Sequence, residues 1–300
     1  MNSGSSVLRS RASFIAALWG CVLIDAQAAP ITFNTALPVA AEEFVFRLQI
    51  KTGETKEERG LPRRQVKASA VVSVLGYGLT PDLTVFAVLP YVDKRLDLVG
   101  PNRKASGLAD ISLFTRYTVY KNNMRGKTFR VAPFLGIKLP TGSDDEKDGI
   151  GKLPVGLQPG SGSEDLFGGV ILTYQTLAWQ FDSEVRVDVF NEGNDVEKGN
   201  KISFSVSFQY RVWPEDLQEE VSGFLYLVLE SEFSHQRKDR FSGVSNNDSG
   251  GNRWLIAPGI QYVTWRWVAE LSVQLPVNER LNGKTLETNY VINGGFRWNF

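Results

Sequence analysis

Stretches that alternate apolar and polar residues run through most of this chain, and the connections between them alternate long and short. The cleanest sets Ile202, Phe204, Val206, Phe208, Tyr210 and Val212 against Lys201, Ser203, Ser205, Ser207, Gln209 and Arg211. Successive side chains of a strand point to opposite faces, so such a stretch has one greasy face and one wet one. The same period marks Glu43 to Lys51, Val66 to Gly78, Leu83 to Val92, Ala109 to Tyr120, Phe129 to Leu139 and Leu166 to Gln175. It continues through Trp179 to Phe190, Val221 to Phe233, Arg253 to Tyr262, Thr264 to Leu275 and Glu287 to Phe300. The odd connections are long: 52–65, 93–108, 140–165, 191–200, 234–252 and 276–286. The even ones are mostly shorter, down to a near-direct join at Val263 and Thr264. In an up-and-down sheet every long connection then lies at one end. A soluble sandwich has no reason to sort its loops, because both ends face water. The pattern predicts an all-β fold: a closed antiparallel transmembrane β-barrel of about twelve strands, with short periplasmic turns and long external loops.

Both ends of the chain suit that compartment. The last strand carries Tyr290, Ile292, Phe296 and Trp298 on one face and stops at Phe300, where termini are usually frayed and polar. This ending resembles the C-terminal signature of bacterial outer-membrane barrels, which implies localisation in the outer membrane and recognition by the barrel-insertion machinery. At the other end Arg9 and Arg11 precede an apolar run from Phe14 to Ile24, followed by Ala26-Gln27-Ala28. A basic start, an apolar stretch too short to span and a small-x-small site predict a signal peptide over 1–28. The barrel then occupies 29–300. A lipoprotein reading through Cys21 ranks lower, because Trp19 is bulky for that box.

Composition removes several classes. The chain holds 33 basic and 33 acidic residues; without Arg9, Arg11 and Asp25 the mature part has 31 against 32. No nucleic-acid partner is expected from such a balance. Cys21 is the only cysteine, so no disulfide is expected after cleavage. No later segment approaches eighteen uncharged apolar residues, so no helical span is expected. Trp179, Trp265, Trp267 and Trp298 fall near periplasmic strand ends, with Trp213 beside a periplasmic turn and Trp254 and Tyr91 near external ends. Such placement suits aromatic girdles in the headgroup zones.

A charge facing lipid at the midplane costs about 2–4 kcal/mol, so strand charges are expected to face inward. The lumen-lining candidates are Arg47, Lys67, Arg116, Arg130, Lys138, Lys201, Arg211, Arg266 and Arg297 as cations, with Arg186 among them. Asp110, Asp182, Glu184, Asp188, Glu230, Glu232 and Glu270 supply the anions. They make either a hydrated pore whose charges select solutes, or a ladder of ion pairs bracing the lumen. Only Ala29 to Glu42 precedes the first strand, too little for a plug domain, but the apolar stretch Ile31 to Ala41 is able to tuck into the lumen.

Catalysis finds little support. Its one histidine, His235, follows Ser234, and neighbours on a strand point to opposite faces, so they do not make a nucleophile and base. Metal sites are not expected from one histidine and carboxylates alone, and the acidic run Ser143 to Asp148 lacks calcium-loop spacing. No catalytic residue, cofactor or metal is expected.

Between strands five and six runs Lys138-Leu139-Pro140-Thr141-Gly142, then Leu153-Pro154, then Leu157-Gln158-Pro159-Gly160-Ser161-Gly162-Ser163 before Asp165. With the aromatic last strand, this resembles the outer-membrane family of the MetA pathway of phenol degradation. The resemblance covers most of the mature chain. It implies a monomeric channel, transporter-like, passing aromatic or other small hydrophobic solutes. Outer-membrane lipid and lipopolysaccharide are the surroundings expected for it. The loop itself is either a constriction at the mouth or an external turn. Competing readings are a closed structural or adhesive barrel and a lipid-modifying barrel enzyme.

Overall fold

The computed structural model describes residues 27–56, 64–97, 102–215 and 221–300. Of the leader expected over 1–28, only Gln27 and Ala28 lie among them. The wall is built from β1 (Phe44–Lys56), β2 (Gln65–Gly78), β3 (Leu83–Asp97), a broken β4 (Arg103–Leu108, Ser112–Tyr117 and Tyr120–Met124) and β5 (Lys127–Lys138). It continues with β6 (Asp165–Thr176), β7 (Trp179–Val189), β8 (Lys201–Trp213) and β9 (Phe224–Gln236). The last three are β10 (Gly251–Val263), β11 (Trp267–Leu281) and β12 (Glu287–Asn299). Each pairs antiparallel with its neighbours, and β12 closes on β1 from Val45↔Asn299 to Lys56↔Glu287. The fold is a closed antiparallel barrel of twelve strands, as the alternation predicts.

β8 shows why this sequence closes outward-greasy. Phe204 and Phe208 are 49 % and 44 % exposed, whereas Ser203, Ser205, Ser207 and Gln209 on the opposite face are buried. A soluble core would invert that assignment; here lipid takes the apolar face while the backbone pairs through the ladder and its closure. An aromatic belt rings the end where Gln27 and Phe300 lie. Phe44 contacts Tyr77 and Phe300, Trp298 contacts Phe300, Trp267 contacts Tyr262 and Phe296, and Trp179 contacts Tyr174 and Phe208.

The strands run further outward than the apolar alternation alone indicates. β3 continues to Asp97 and β1 to Lys56, because a hydrogen-bond ladder needs no lipid and persists with polar side chains above the membrane. The connection 234–252 is not plain loop either. Arg240–Phe241 and Val244–Ser245 join Glu192–Gly193 and Val196–Glu197 in a four-stranded external sheet that ties it to the preceding long connection. β4 is the irregular strand. Its outer piece pairs with β3 alone, its middle piece with β3 and β5, and its inner piece with β5.

Residues 27–43 do not stay outside. They arch through the inner end of the lumen and return to β1, with Ile31 and Ala36 fully buried. The short apolar stretch therefore occupies the lumen.

Candidate functional site

The inner surface has two halves of different chemistry. On β2 to β6 the inward positions near the middle of the wall are mostly apolar. Phe86 stacks on Phe114 at 4.5 Å, and Phe114 meets Phe134 and Phe167 edge-on at 6.5 and 6.0 Å. Ala132 and Ile171 complete this cluster, with Val74, Val88 and Val39 against it. Gly136 makes room for it: a Cβ there would stand 2.3 Å from the Phe167 ring. On β7 to β12 and β1 the inward positions are glutamine, serine and carboxylate, including Gln180, Ser207, Gln209, Gln261, Ser272 and Gln49, all buried.

The arch of 27–43 is held mainly by that polar half. Glu230 accepts the N–H groups of Ile31 and Thr32 at 2.6 and 3.1 Å. Gln261 receives the N–H of Ala29 and donates to its carbonyl. Arg47 donates to the carbonyls of Pro30 and Ile31, and Gln49 also donates to Ile31. On the returning limb Thr173 accepts the N–H of Ala36, while Arg116 donates to Thr35 and Leu37. An extended segment leaves its backbone groups free, and a buried one must find partners. Here the wall supplies them residue by residue.

A second packed segment lies at the outer mouth. The chain leaves β5 at Lys138 and turns inward. Leu139 donates to the carbonyl of Ile111, Thr141 accepts the Ile111 N–H, and Asp110 accepts Gly142 N–H, Ser161 N–H and Ser161 Oγ–H at 3.0, 2.9 and 2.6 Å. Lys138 lies beneath, bonded to Ser161 and paired with Asp110 and Asp165. Gly160 and Gly142 touch backbone to backbone; a Cβ on Gly160 would stand 2.3 Å from the Gly142 oxygen. Gln158 is buried and bonded to Glu146 and Leu153, while Leu153 and Leu157 pack on Leu96. Pro159 is buried against Gly107, and Gly162 sits beside Asp144 and Asn194. Farther out, Arg103 chelates Asp148 at 2.7 and 2.9 Å. That hydrogen bond, with the Ile150 N–H, holds the Asp148 carboxyl down at about 2. The stretch from Leu139 to Gly162 is thus folded against β3 and β4 at the outer end of the wall.

Between the arch and the outer end of β5 and β6 lies a cavity of about 690 Å³. It runs from Ala40, Glu43 and Asn299 at the inner rim to Lys138, Asp165 and Phe190 under the outer loop, with Val74, Phe86, Val88, Phe114 and Phe167 along one side. An apolar recess of about 580 Å³ on the outer face of β2 to β6 reaches the same Phe86 and Phe114.

The charged residues named from the sequence are dispersed as pairs and single groups, not as a ring. Arg47 meets Glu270 at 2.6 Å, Arg186 meets Asp188 at 2.6 Å, and Lys201 meets Glu232 at 3.0 Å. Arg186 also lies 4.3 Å over the Phe167 ring, and Arg211 lies over Phe224 near the inner rim. Asp182, Glu184 and Glu230 are buried beside the arch, and Arg116, Arg130 and Arg297 line the cavity. Two residues depart from the expectation. Lys67 shares the outward face of β2 with exposed Val71 and Leu75, close to the external rim, where an outward charge meets water instead of hydrocarbon. Arg266 is exposed in the turn between β10 and β11, because β11 begins at Trp267 and not at Thr264. Sequence reasoning missed the inward phenyl groups. Their signal was strands β3 to β6 carrying apolar residues on both faces. Ser234 is buried on the lumenal face, whereas His235 is exposed and bonded to Asn252, so the two do not meet. Among the described residues no cluster of metal-ligating side chains occurs.

A family model described as "Putative MetA-pathway of phenol degradation" matches residues 65–274. The chain belongs to this family. Its match runs from β2 into β11, so it contains the phenyl cluster and the whole of the loop from Leu139 to Gly162. Among solved structures, the COG4313 outer membrane channel from Pseudomonas putida F1 is similar with a TM-score of 0.68 at 15 % identity. That likeness covers 91 % of this chain and 100 % of the other. The beta domain of the Bordetella autotransporter BrkA is similar with a TM-score of 0.50 at 10 % identity, covering 86 % and 100 %. At those identities the likeness is one of fold, and the fold is that of bacterial outer-membrane barrels. No curated protein matches the chain in sequence.

Proposed function

We propose that the protein is a passive outer-membrane channel for small solutes with an aromatic or apolar body. The observation that carries this reading is the cavity of about 690 Å³ between the arch and the outer loop, flanked by Phe86, Phe114 and Phe167. A lumen serving sugars or ions alone has no use for stacked phenyl groups at its centre. The rings are largely packed on one another and on Ala36 and Val39 of the arch, and the apolar edges that still face the cavity offer a guest roughly 25 cal/mol per Å² of surface covered. Offset and edge-on phenyl arrays also present both ring faces and ring edges to an aromatic guest. The recess on the lipid side of Phe86 and Phe114 favours the same class of solute.

Solute efflux from liposomes tests it, with phenol and toluene set against glucose and glycine. Phenol and toluene are expected to leave protein-bearing vesicles faster than protein-free ones. Phe114→Ser with Phe167→Ser should slow those two by about tenfold, the effect of losing part of two aromatic contacts, and leave glycine unchanged. Equal rates for all solutes in wild type and variant would refute the apolar specificity. No flux of any solute from a folded barrel would favour a closed structural role.

A further inference from the structure

The arch of 27–43 does more than narrow the lumen: the geometry points to a charge-sorting role, in which it covers the carboxylates of the wall and leaves the open cavity lined by unpaired cations. This makes the protein anion-preferring while the arch is seated. The inference rests on the channel reading above and adds what sets its selectivity.

Three carboxylates lie against the arch and away from the cavity. Glu230 is engaged by the N–H groups of Ile31 and Thr32. Asp182 is bonded to Thr173, Gln180 and Gln209, beside Thr35 of the arch. Glu184 faces the N–H of Asn34. All three are buried, and none lines the cavity. The cations are placed the other way. Lys51, Arg116, Arg130 and Arg297 all line the open space, and among the described residues none has a carboxylate within ion-pair distance. Arg116 spends its donors on the arch carbonyls of Thr35 and Leu37, which satisfies hydrogen bonds without cancelling charge. Of the carboxylates that do line the cavity, Asp165 and Asp188 are paired with Lys138 and Arg186, leaving Glu43 at the inner rim. Backbone N–H groups on one side and carbonyls on the other thus let one neutral segment hide anions while displaying cations. Charges of one sign lining a narrow path select the opposite ion.

Reversal potentials in planar bilayers under a potassium chloride gradient test the idea on the full-length protein, on a chain lacking residues 29–40, and on Lys51→Gln with Arg130→Gln. The native protein should prefer chloride. The chain without the arch should conduct more and shift towards potassium, and adding Glu230→Gln to it should move the ratio back towards chloride. With the arch in place, the Lys51 and Arg130 pair of substitutions should lower the chloride-to-potassium ratio by about fivefold or more, the effect of one unit charge at contact distance through water. Should the shortened chain fail to fold, this last variant still decides the matter. Current with the same selectivity in every variant would overturn charge sorting alone. Absence of current in all of them would overturn the channel reading and this inference together.

Discussion

Asp110 shows how much one side chain does in the break of β4. It takes three hydrogen bonds from the loop and pairs with Lys138, so it fixes the loop to the wall. Asp110→Ala should therefore loosen the loop at a cost of about 2–4 kcal/mol, given the usual strength of bonds to a charged acceptor. Urea unfolding in detergent would register the loss, and single-channel recording should show larger, noisier openings. Farther out, Asp148 responds to pH in a definite direction. Arg103 keeps its carboxyl at about 2 against an ordinary 3.8, so the ion-pair contribution is complete above about 4 and disappears as the pH falls through 2. Carboxyl carbon shifts in NMR should show Asp148 titrating near 2, and Arg103→Gln should return it to the ordinary range. At this scale the sequence is legible where lipid enforces it and illegible elsewhere. Arg47, Glu230 and Glu270 sit mid-wall and face inward, as the cost of a charge in hydrocarbon requires. Lys67 and Arg266 lie beyond the hydrocarbon, where that cost vanishes and parity no longer constrains them.

Whole elements divide in the same way. β8 and β12 could be read almost residue by residue, since serine and glutamine on β8 and asparagine on β12 face in while aromatics and aliphatics face out. β3 to β6 could be located but their inner chemistry could not, because phenyl groups inside and leucines outside give no contrast. The break in β4 is set by contacts with a loop far along the chain, which period-two counting does not detect. The arch was visible only as an apolar stretch; its path depends on Glu230, Gln261, Arg47 and Arg116, drawn from four different strands. Arg116→Gln should weaken its returning limb, raising amide exchange at Ala36 to Val39 while Ile31 and Thr32 stay protected by Glu230. Gly160→Ala should displace the outer loop, because its added carbon would overlap the Gly142 carbonyl. A spin label in the loop at Lys152 would then show faster motion, with the barrel intact.

For the molecule as a whole, closure is what makes the separate elements stable. Leu229 faces outward near the middle of β9 and is 56 % exposed to lipid. Leu229→Arg should cost roughly 2–4 kcal/mol, the penalty of a guanidinium at the midplane, measured by urea unfolding in lipid vesicles. The fifteen residues of β3 make the wall taller than the bilayer needs. At about 3.3 Å per residue and a tilt of about 40° they rise on the order of 38 Å, against an apolar band of about 25 Å. The surplus stands on the outer side, and the small four-stranded sheet bearing Val244, held on the connections after β7 and β9, is expected to reach the sugars of the outer leaflet. In cells with full-length surface polysaccharide an antibody to that sheet should bind poorly, and stripping the sugars should unmask it without any change in the protein.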